Sequence, residues 1–552
     1  MEMTGFTPTK GGKLLKFIKM KEDEKMDCCR IPDYVRVITE DASALMENKG
    51  SIFEYKDVQV DFTVKEGLNI DLTALKSEVR FLVCRFNGSW PKGTRFLGDV
   101  LERSYGNLAW RGIEPERTMA WYFCASNGET NQAFGVKVRP NALCFWTSDG
   151  EGVSLWLDVR SGGLGVILNG AKLEVATVVQ DCAGNVNTFE FLTDFCRKMC
   201  DDPIFPKVPV YGSNNWYYAY GNSSAKEILV DTDLLCSLTE GLDNRPYMVI
   251  DDCWQELART VGGAQGRPYN RGNELFPDMK GLADEIKAKG VHPGIWMRPL
   301  KTAEKFIDKD YILMRQNNVL DPSVPAVLEL IAEDIERMTG EWGYELLKYD
   351  FVTRDILGDY YSNHDSLLNA SGWSFRDRSK TSAQCIKDLY RTIYEHSNGA
   401  NIIGCNAIGH LAAGYIHIHR SGDDTSGMHY DRSVKMGINC LAFRLVQHKT
   451  FFHADADCIC ITDRIPWDKN KDLIKLYANS GTPFFTSVAP SVVNDEIRDE
   501  LKKAFALAAI QKEKMEPLDW MDTVIPEQYL VDGKRFDFKW MPEYGKEWIL
   551  AR

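Results

Sequence analysis

No run of apolar residues in this 552-residue chain approaches the roughly 18 that a membrane-spanning helix needs. Basic blocks are missing too, and the formal charge is −13, which argues against a nucleic-acid partner. The 15 cysteines include no C-x-x-C pairs at zinc spacing, and Cys28-Cys29 and Cys458-x-Cys460 are too close for easy bridging or chelation. Most of them read as small buried hydrophobes in a reducing compartment. There is no G-x-S-x-G and no evident Ser/His/Asp set. Gly162-Gly163-x-Gly165 lies between strands rather than before a helix, so it does not read as a nucleotide site. Met1 to Lys25 carries lysines but no apolar core, so no signal peptide is visible. A soluble, cytoplasmic protein is expected.

What is present is ordinary globular composition, 44% apolar and 26% charged, in a chain too long for one core. The first ~200 residues read as β. Short runs at Arg80–Phe86, Thr118–Cys124, Ala133–Val138, Ala142–Thr147, Val153–Val159 and Gly165–Leu168 are separated by turn formers such as Ser126-Asn127-Gly128. This predicts a β-sandwich.

From Tyr211 the pattern alternates. Strands are expected at Tyr211–Trp216, Tyr247–Asp252, Val291–Met297, Glu345–Phe351, Asn401–Cys405, Ile416–Arg420, Ala456–Ile461 and Pro483–Val488, with helical spacing between most of them. About eight β/α units over about 285 residues predict a (β/α)8 TIM barrel. The expected domains are an N-terminal β-sandwich (1–205), a catalytic barrel (206–490) and a C-terminal helix with a short β tail (491–552).

Barrel enzymes place their chemistry at the C-terminal ends of strands. Asp251-Asp252, Trp296, Asp350, Cys405 and Asp424 all fall at or just beyond such ends. Asp350 follows Leu346-Leu347-Lys348-Tyr349, and strand alternation puts Lys348 on its face, where an ammonium favours the ionised carboxylate. Asp424 lies in Arg420-Ser421-Gly422-Asp423-Asp424-Thr425, where repulsion between adjacent carboxylates is expected to keep one protonated. Two carboxylates facing one cleft are what cleavage of a glycosidic bond requires. Each has a structural alternative: a Lys–Asp ion pair for Asp350, a helix cap for Asp424.

Asp251 and Asp252 suit either sugar hydroxyls or a divalent cation. Trp254 and Trp296 offer faces on which a pyranose stacks, or core packing. His453-Ala454-Asp455-Ala456-Asp457 would present three polar groups on one strand face, which keeps a metal-dependent hydrolase as a rival reading beside hydrogen-bonded structural groups.

These motifs resemble the α-galactosidases of glycoside hydrolase family 36, in the clan shared with family 27. The matching stretches are Gly212–Trp216, Val249–Trp254, Phe276-Pro277, Gly294-Ile295-Trp296, Asp321-Pro322-Ser323, Leu346–Asp350 and Gly404–Asp424, with Leu97–Gly106 upstream. The resemblance implies a retaining mechanism with Asp350 as nucleophile and Asp424 as acid/base. It also implies Asp251 and Asp252 on the sugar hydroxyls, and Trp216, Trp296, Lys348, Cys405 and Arg420 lining the pocket. It implies no metal or organic cofactor, an α-galactoside substrate, and is compatible with a homo-oligomer. Related α-glycosidases and raffinose-synthase-type transglycosidases share the pattern. Two departures, Asn406–His410 after Cys405 and Met297-Arg298 after Trp296, bear on leaving-group preference.

Overall fold

A computed structural model describes residues 26–258, 266–314, 318–358, 372–510 and 514–540. The N-terminal Met1–Lys25 and Gln511, the expected end of the last helix, lie outside them.

Residues 34–184 form a thirteen-stranded, wholly antiparallel sheet folded over as a sandwich. Its central strands are buried along their whole length: Met119–Ser126 has no exposed residue, and its Phe123 ring stacks on Phe134 at 5.1 Å. Such strands cannot alternate polar and apolar residues, because both faces are covered. The expected strands are present within a few residues, except Gly165–Leu168, which makes only an isolated bridge from Val166 to Val79. A helix, Thr188–Met199, closes this region, with the Asn187 side chain accepting from Phe189 and Glu190 N–H at its start.

The barrel is a parallel ring. Its strands are Tyr211–Asn214, Tyr247–Ile250, His292–Met297, Leu346–Tyr349, Asn401–Gly404, Ile418–Arg420, an interrupted seventh, and Phe484–Val488. The seventh consists of two halves. His453–Asp455 pairs with the sixth strand and Ile459–Ile461 with the eighth, so the ring closes through one broken strand. The continuous strand expected at Ala456–Ile461 is therefore not formed. Asp457 adopts φ 75°, left-handed backbone that a strand cannot carry.

Helices cover the ring. Ser224 caps Ala225–Leu238, Asp278 caps Met279–Ala288, and Thr381 with Gln384 makes a capping box before Ser382–Glu395. After Asp495–Ala508, three strands (Met515–Pro517, Gln528–Val531, Lys534–Asp537) form a small antiparallel sheet where a short β tail is expected from sequence.

One hydrophobic core runs through sandwich and barrel. The seam between them is also hydrogen-bonded: Ser104 N–H donates to Ser421 O and Asp423 N–H to Ser104 O, both at 2.8 Å. Arg444 reaches back to Asp99 at 2.8 Å. The sandwich segment Leu97–Gly106 is thereby fixed beside the sixth barrel strand, at the barrel mouth.

Candidate active site

The second and fourth strands converge on one ion pair. Asp251, just beyond Ile250, accepts Lys348 Nζ at 2.6 Å and Asn214 Nδ2 at 2.6 Å on Oδ2, and Asp252 N–H at 2.9 Å on Oδ1. Lys348 thus pairs with Asp251, not with Asp350 as strand alternation suggests. Side chains of alternate barrel strands share an interior layer, which brings the second and fourth strands together. Burial opposes the Lys348 charge, but Asp251, Cys405 and Asp350 together outweigh it and the lysine pKa is raised. Asp252 accepts Gln255 Nε2 at 2.8 Å and Cys253 N–H at 2.6 Å. Burial, helped by Asp251 and Asp350, pushes its carboxyl up to about 6.

Asp350 follows the fourth strand. Its backbone N–H donates to Met297 O at 2.9 Å, its Oδ1 accepts Phe351 N–H at 2.7 Å, and Oδ2 lies 3.3 Å from Trp296 Nε1. Phe351 takes φ 64°, so the chain turns sharply right after the carboxylate. Trp296 is itself fixed, because its carbonyl accepts Trp254 Nε1 at 2.9 Å. Trp254 is fully buried, so packing is its role, whereas Trp216, after the first strand, stays partly open beside Tyr220.

Asp424 occupies a different setting. Its Oδ1 accepts Arg420 Nη2 at 3.1 Å and Arg103 Nη1 at 3.4 Å, yet its side chain remains 44% exposed. Desolvation raises its pKa, but the two guanidiniums win and hold it down at about 2. Asp423 is only 13% exposed and is clamped by Arg103 at 2.7 Å and Arg432 at 2.5 Å. Of the adjacent pair, Asp424 is therefore the one open to a ligand. The expected rise from mutual repulsion is absent at Asp424, because arginines contact both carboxylates. Gly422 permits this placement: a Cβ there would lie 2.8 Å from Cys440 Cβ and 3.0 Å from Met436 O.

Cys405 is buried, receives Arg103 Nη1 on Sγ at 3.7 Å, and has its thiol pKa pushed well up by burial. Arg420 is 2% exposed and divides Nη2 between Asp424 and Asp457, the latter at 2.9 Å. Among the described residues no group of three or more His, Cys, Asp or Glu is arranged to hold a metal ion. The His453–Asp457 stripe is dispersed: His453 packs on Phe205 and His448, while Asp457 turns to Arg420. All 15 cysteines are free thiols and most are buried.

Sequence reasoning missed Arg103, Asn214 and Gln255, and placed Asp457 in a polar strand stripe without its link to Arg420. Arg103 sits inside the resembling segment Leu97–Gly106, but nothing in one sequence says that this segment crosses to the barrel mouth.

Acidic side chains thus stand at or just beyond the C-terminal ends of the second, fourth and sixth strands of a parallel eight-stranded barrel that is capped by a β-sandwich. This fold is that of the family 36 α-galactosidases. The α-galactosidase TtGalA of Thermus thermophilus, in complex with p-nitrophenyl α-D-galactopyranoside, superposes with a TM-score of 0.58 at 14% identity, over 92% of this chain and 99% of that one. The family 36 α-galactosidase AgaA of Geobacillus stearothermophilus, in complex with 1-deoxygalactonojirimycin, gives 0.58 at 12% identity, over 87% of this chain and 75% of that one. In sequence, the chain is 26% identical to the α-galactosidase of Oryza sativa subsp. japonica over 145 residues, 26% of this chain and 30% of the relative. It is 27% identical to that of Coffea arabica over 143 residues, 26% of this chain and 32% of the relative. The match thus spans about a third of the length of these curated relatives. No family profile matches the chain.

Proposed function

We propose that the chain is a retaining glycoside hydrolase that removes terminal α-linked galactose. The observation that carries this reading is the contrast between two strand-end carboxylates. Asp350 is steadied by the Trp296 indole and a backbone N–H, and Asp424 stands open between two arginines. The sequence match to plant α-galactosidases and the fold shared with galactoside-binding bacterial enzymes supply the sugar.

In this reading Asp251 and Asp252 accept hydroxyl hydrogen bonds from galactose, with Lys348 donating, and Trp216 and Trp296 border the ring. Asp350 attacks the anomeric carbon as the bond to the leaving oxygen breaks, and Asp424 delivers a proton to that oxygen. A β-galactosyl ester of Asp350 results. Water then attacks the same carbon, Asp424 takes its proton, Asp350 departs as carboxylate, and α-galactose is released. Such a mechanism expects the two carboxyl groups about 5–5.5 Å apart.

The arginines favour the ionised Asp424 that the second half-reaction needs as base. The first half needs the acid. A sugar that seals the cleft strengthens desolvation, the largest influence on this group and the one that raises its pKa.

The test is release of p-nitrophenol from the α-galactoside, with proton NMR showing α-galactose as the first product. Asp350→Ala should abolish turnover, and added azide should restore it as β-galactosyl azide. Release of β-galactose first, or full activity in Asp350→Ala, would overturn the mechanism. Loss of activity in excess EDTA would instead favour the metal-dependent reading.

A further inference from the structure

Asp457 is the residue at which the seventh barrel strand breaks, and it does so in the left-handed backbone conformation that glycine adopts freely and aspartate or asparagine less often. Its side chain, 2% exposed, gathers several donors on the single oxygen Oδ2. These are the Tyr217 hydroxyl and Thr425 N–H at 2.9 Å, beside an ion pair with Arg420 Nη2 at 2.9 Å. The Thr425 hydroxyl is shared between this oxygen at 3.1 Å and the Cys458 carbonyl at 2.9 Å.

Two of these partners flank Asp424. Thr425 is its neighbour in the chain, and Arg420 uses the same Nη2 to reach Asp424 Oδ1 at 3.1 Å. Arg420 Nε makes no hydrogen bond among the described residues, so these two carboxylates are what its outer edge is held by. The backbone N–H of Asp457 is in turn tied to Asp455 Oδ1 at 2.9 Å, and Asp455 O accepts Ser421 N–H at 2.9 Å. The loop 421–425 is thus attached to the broken strand at both ends.

We propose that Asp457 is a positioning residue for the acid/base: it fixes Arg420 and Thr425, and through them the aim of the Asp424 carboxyl at the leaving oxygen. This rests on the assignment of Asp424 as acid/base. It does not concern sugar binding, because Asp457 touches neither Asp251, Asp252 nor Lys348 in any hydrogen bond above. The same arrangement explains why an aspartate is kept at a position whose backbone suits glycine. An uncharged side chain there would leave Arg420 to swing wholly onto Asp424.

The experiment compares two α-galactosides of different leaving group. Proton delivery is needed for a disaccharide such as melibiose and is not needed for 2,4-dinitrophenyl α-galactoside, whose phenolate leaves unaided. Asp457→Asn should lower kcat/KM for the disaccharide by about 10²-fold, and change that for the dinitrophenyl substrate by less than about 3-fold, the scatter expected for a remote hydrogen bond. Its Ki for galactose should stay at the wild-type value. Azide should raise its turnover of the dinitrophenyl substrate and yield α-galactosyl azide, because the base-assisted second step is bypassed. Tyr217→Phe, which removes one donor and keeps every charge, should show the same selective loss at about 5-fold. It carries the test should Asp457→Asn fail to fold.

Equal losses on both substrates, or a loss on neither, would overturn the proposal with the wild type active. A wild type that cleaves neither galactoside would overturn the function proposed above, and this inference with it.

Discussion

Arg103, borne by the β-sandwich, donates Nη1 to Oδ1 of Asp424 at 3.4 Å across 321 residues of sequence, while its Nη2 holds Asp423 at 2.7 Å. The open carboxylate of the barrel mouth is therefore set partly from outside the barrel. Arg103→Ala removes a charge that lowers the Asp424 pKa, so that pKa rises. Under the proposed mechanism, the alkaline limb of the kcat profile, which reports the substrate complex and where the acid form is lost, should move to higher pH. Breaking the buried pair with Asp423 should also cost about 3 kcal/mol of stability, read from a urea titration. Arg103→Lys restores the charge but not the two-armed contact, so it should recover the pH profile more than the stability. An unmoved alkaline limb in Arg103→Ala would refute the coupling.

Asp252 supplies a second pH effect of defined sign. Its carboxyl is raised to about 6 by burial, with Asp251 and Asp350 adding to it. Protonation removes an acceptor for a sugar hydroxyl, so KM for an α-galactoside should rise as pH falls below about 6. Between pH 7 and pH 5 the rise should be about tenfold, the limit set by one proton per site. In Asp252→Asn the KM should be high and flat over this range. A wild-type KM that stays level to pH 5 would remove Asp252 from the sugar contacts.

Five buried or half-buried histidines make the fold sensitive to acid. Burial lowers His410, His417 and His453 to about 4, His419 to about 3, and His448 further still. A folded pKa below the unfolded value of about 6.5 gives stability that is complete above that pH and is lost as pH falls toward 4. By pH 5 each such histidine withdraws about 2 kcal/mol. Asp252, Asp334 and Asp455, raised to about 6, and Asp231, raised to about 7, act in the opposite sense. Each of those at about 6 returns about 1.4 kcal/mol by pH 5. Asp99, Glu102 and Asp355 are raised by burial as well, so the histidine contribution is read by difference: on going from pH 7 to pH 5 the urea midpoint should shift downward less in His419→Asn than in the wild type. Equal shifts in the two proteins would contradict this assignment.

The elements that sequence reveals here are the local ones. Asp251, Asp252 and Asp350 were readable because each ends a short apolar run, and a buried parallel strand is a short apolar run. The helix Thr188–Met199 was not expected, although Asn187 followed by Phe189, Leu192, Phe195, Cys196 and Met199 at helical spacing carries its signal inside the surrounding β pattern. What could not be read was pairing across distance. Lys348 chose Asp251 on a strand two places away over Asp350 two residues away, because the barrel layer and not strand alternation decides the neighbour. Arg103 belongs to another domain. Asp457 fits the alternation of His453 and Asp455, and only its ion pair with Arg420 explains why the strand is abandoned there.

The segment Asn406–His410, which departs from the family pattern, has an explanation that does not involve the leaving group. All five residues are buried. Asn406 Nδ2 donates to Glu102, the His410 ring stacks on Trp121 at 5.0 Å and 12°, its Nε2 lies 2.8 Å from Val136 O, and its carbonyl accepts Arg139 N–H at 3.0 Å. Glu102, Trp121, Val136 and Arg139 all belong to the sandwich side of the seam. The loop after the fifth strand is therefore occupied in docking one domain onto the other. His410→Ala should leave a cavity at that seam and lower stability by about 2–4 kcal/mol, seen as an earlier urea midpoint or a lower Tm. Relative kcat/KM values over a panel of α-galactosides with different aglycones should be unchanged. A variant with altered aglycone preference and wild-type stability would show instead that this loop faces the substrate.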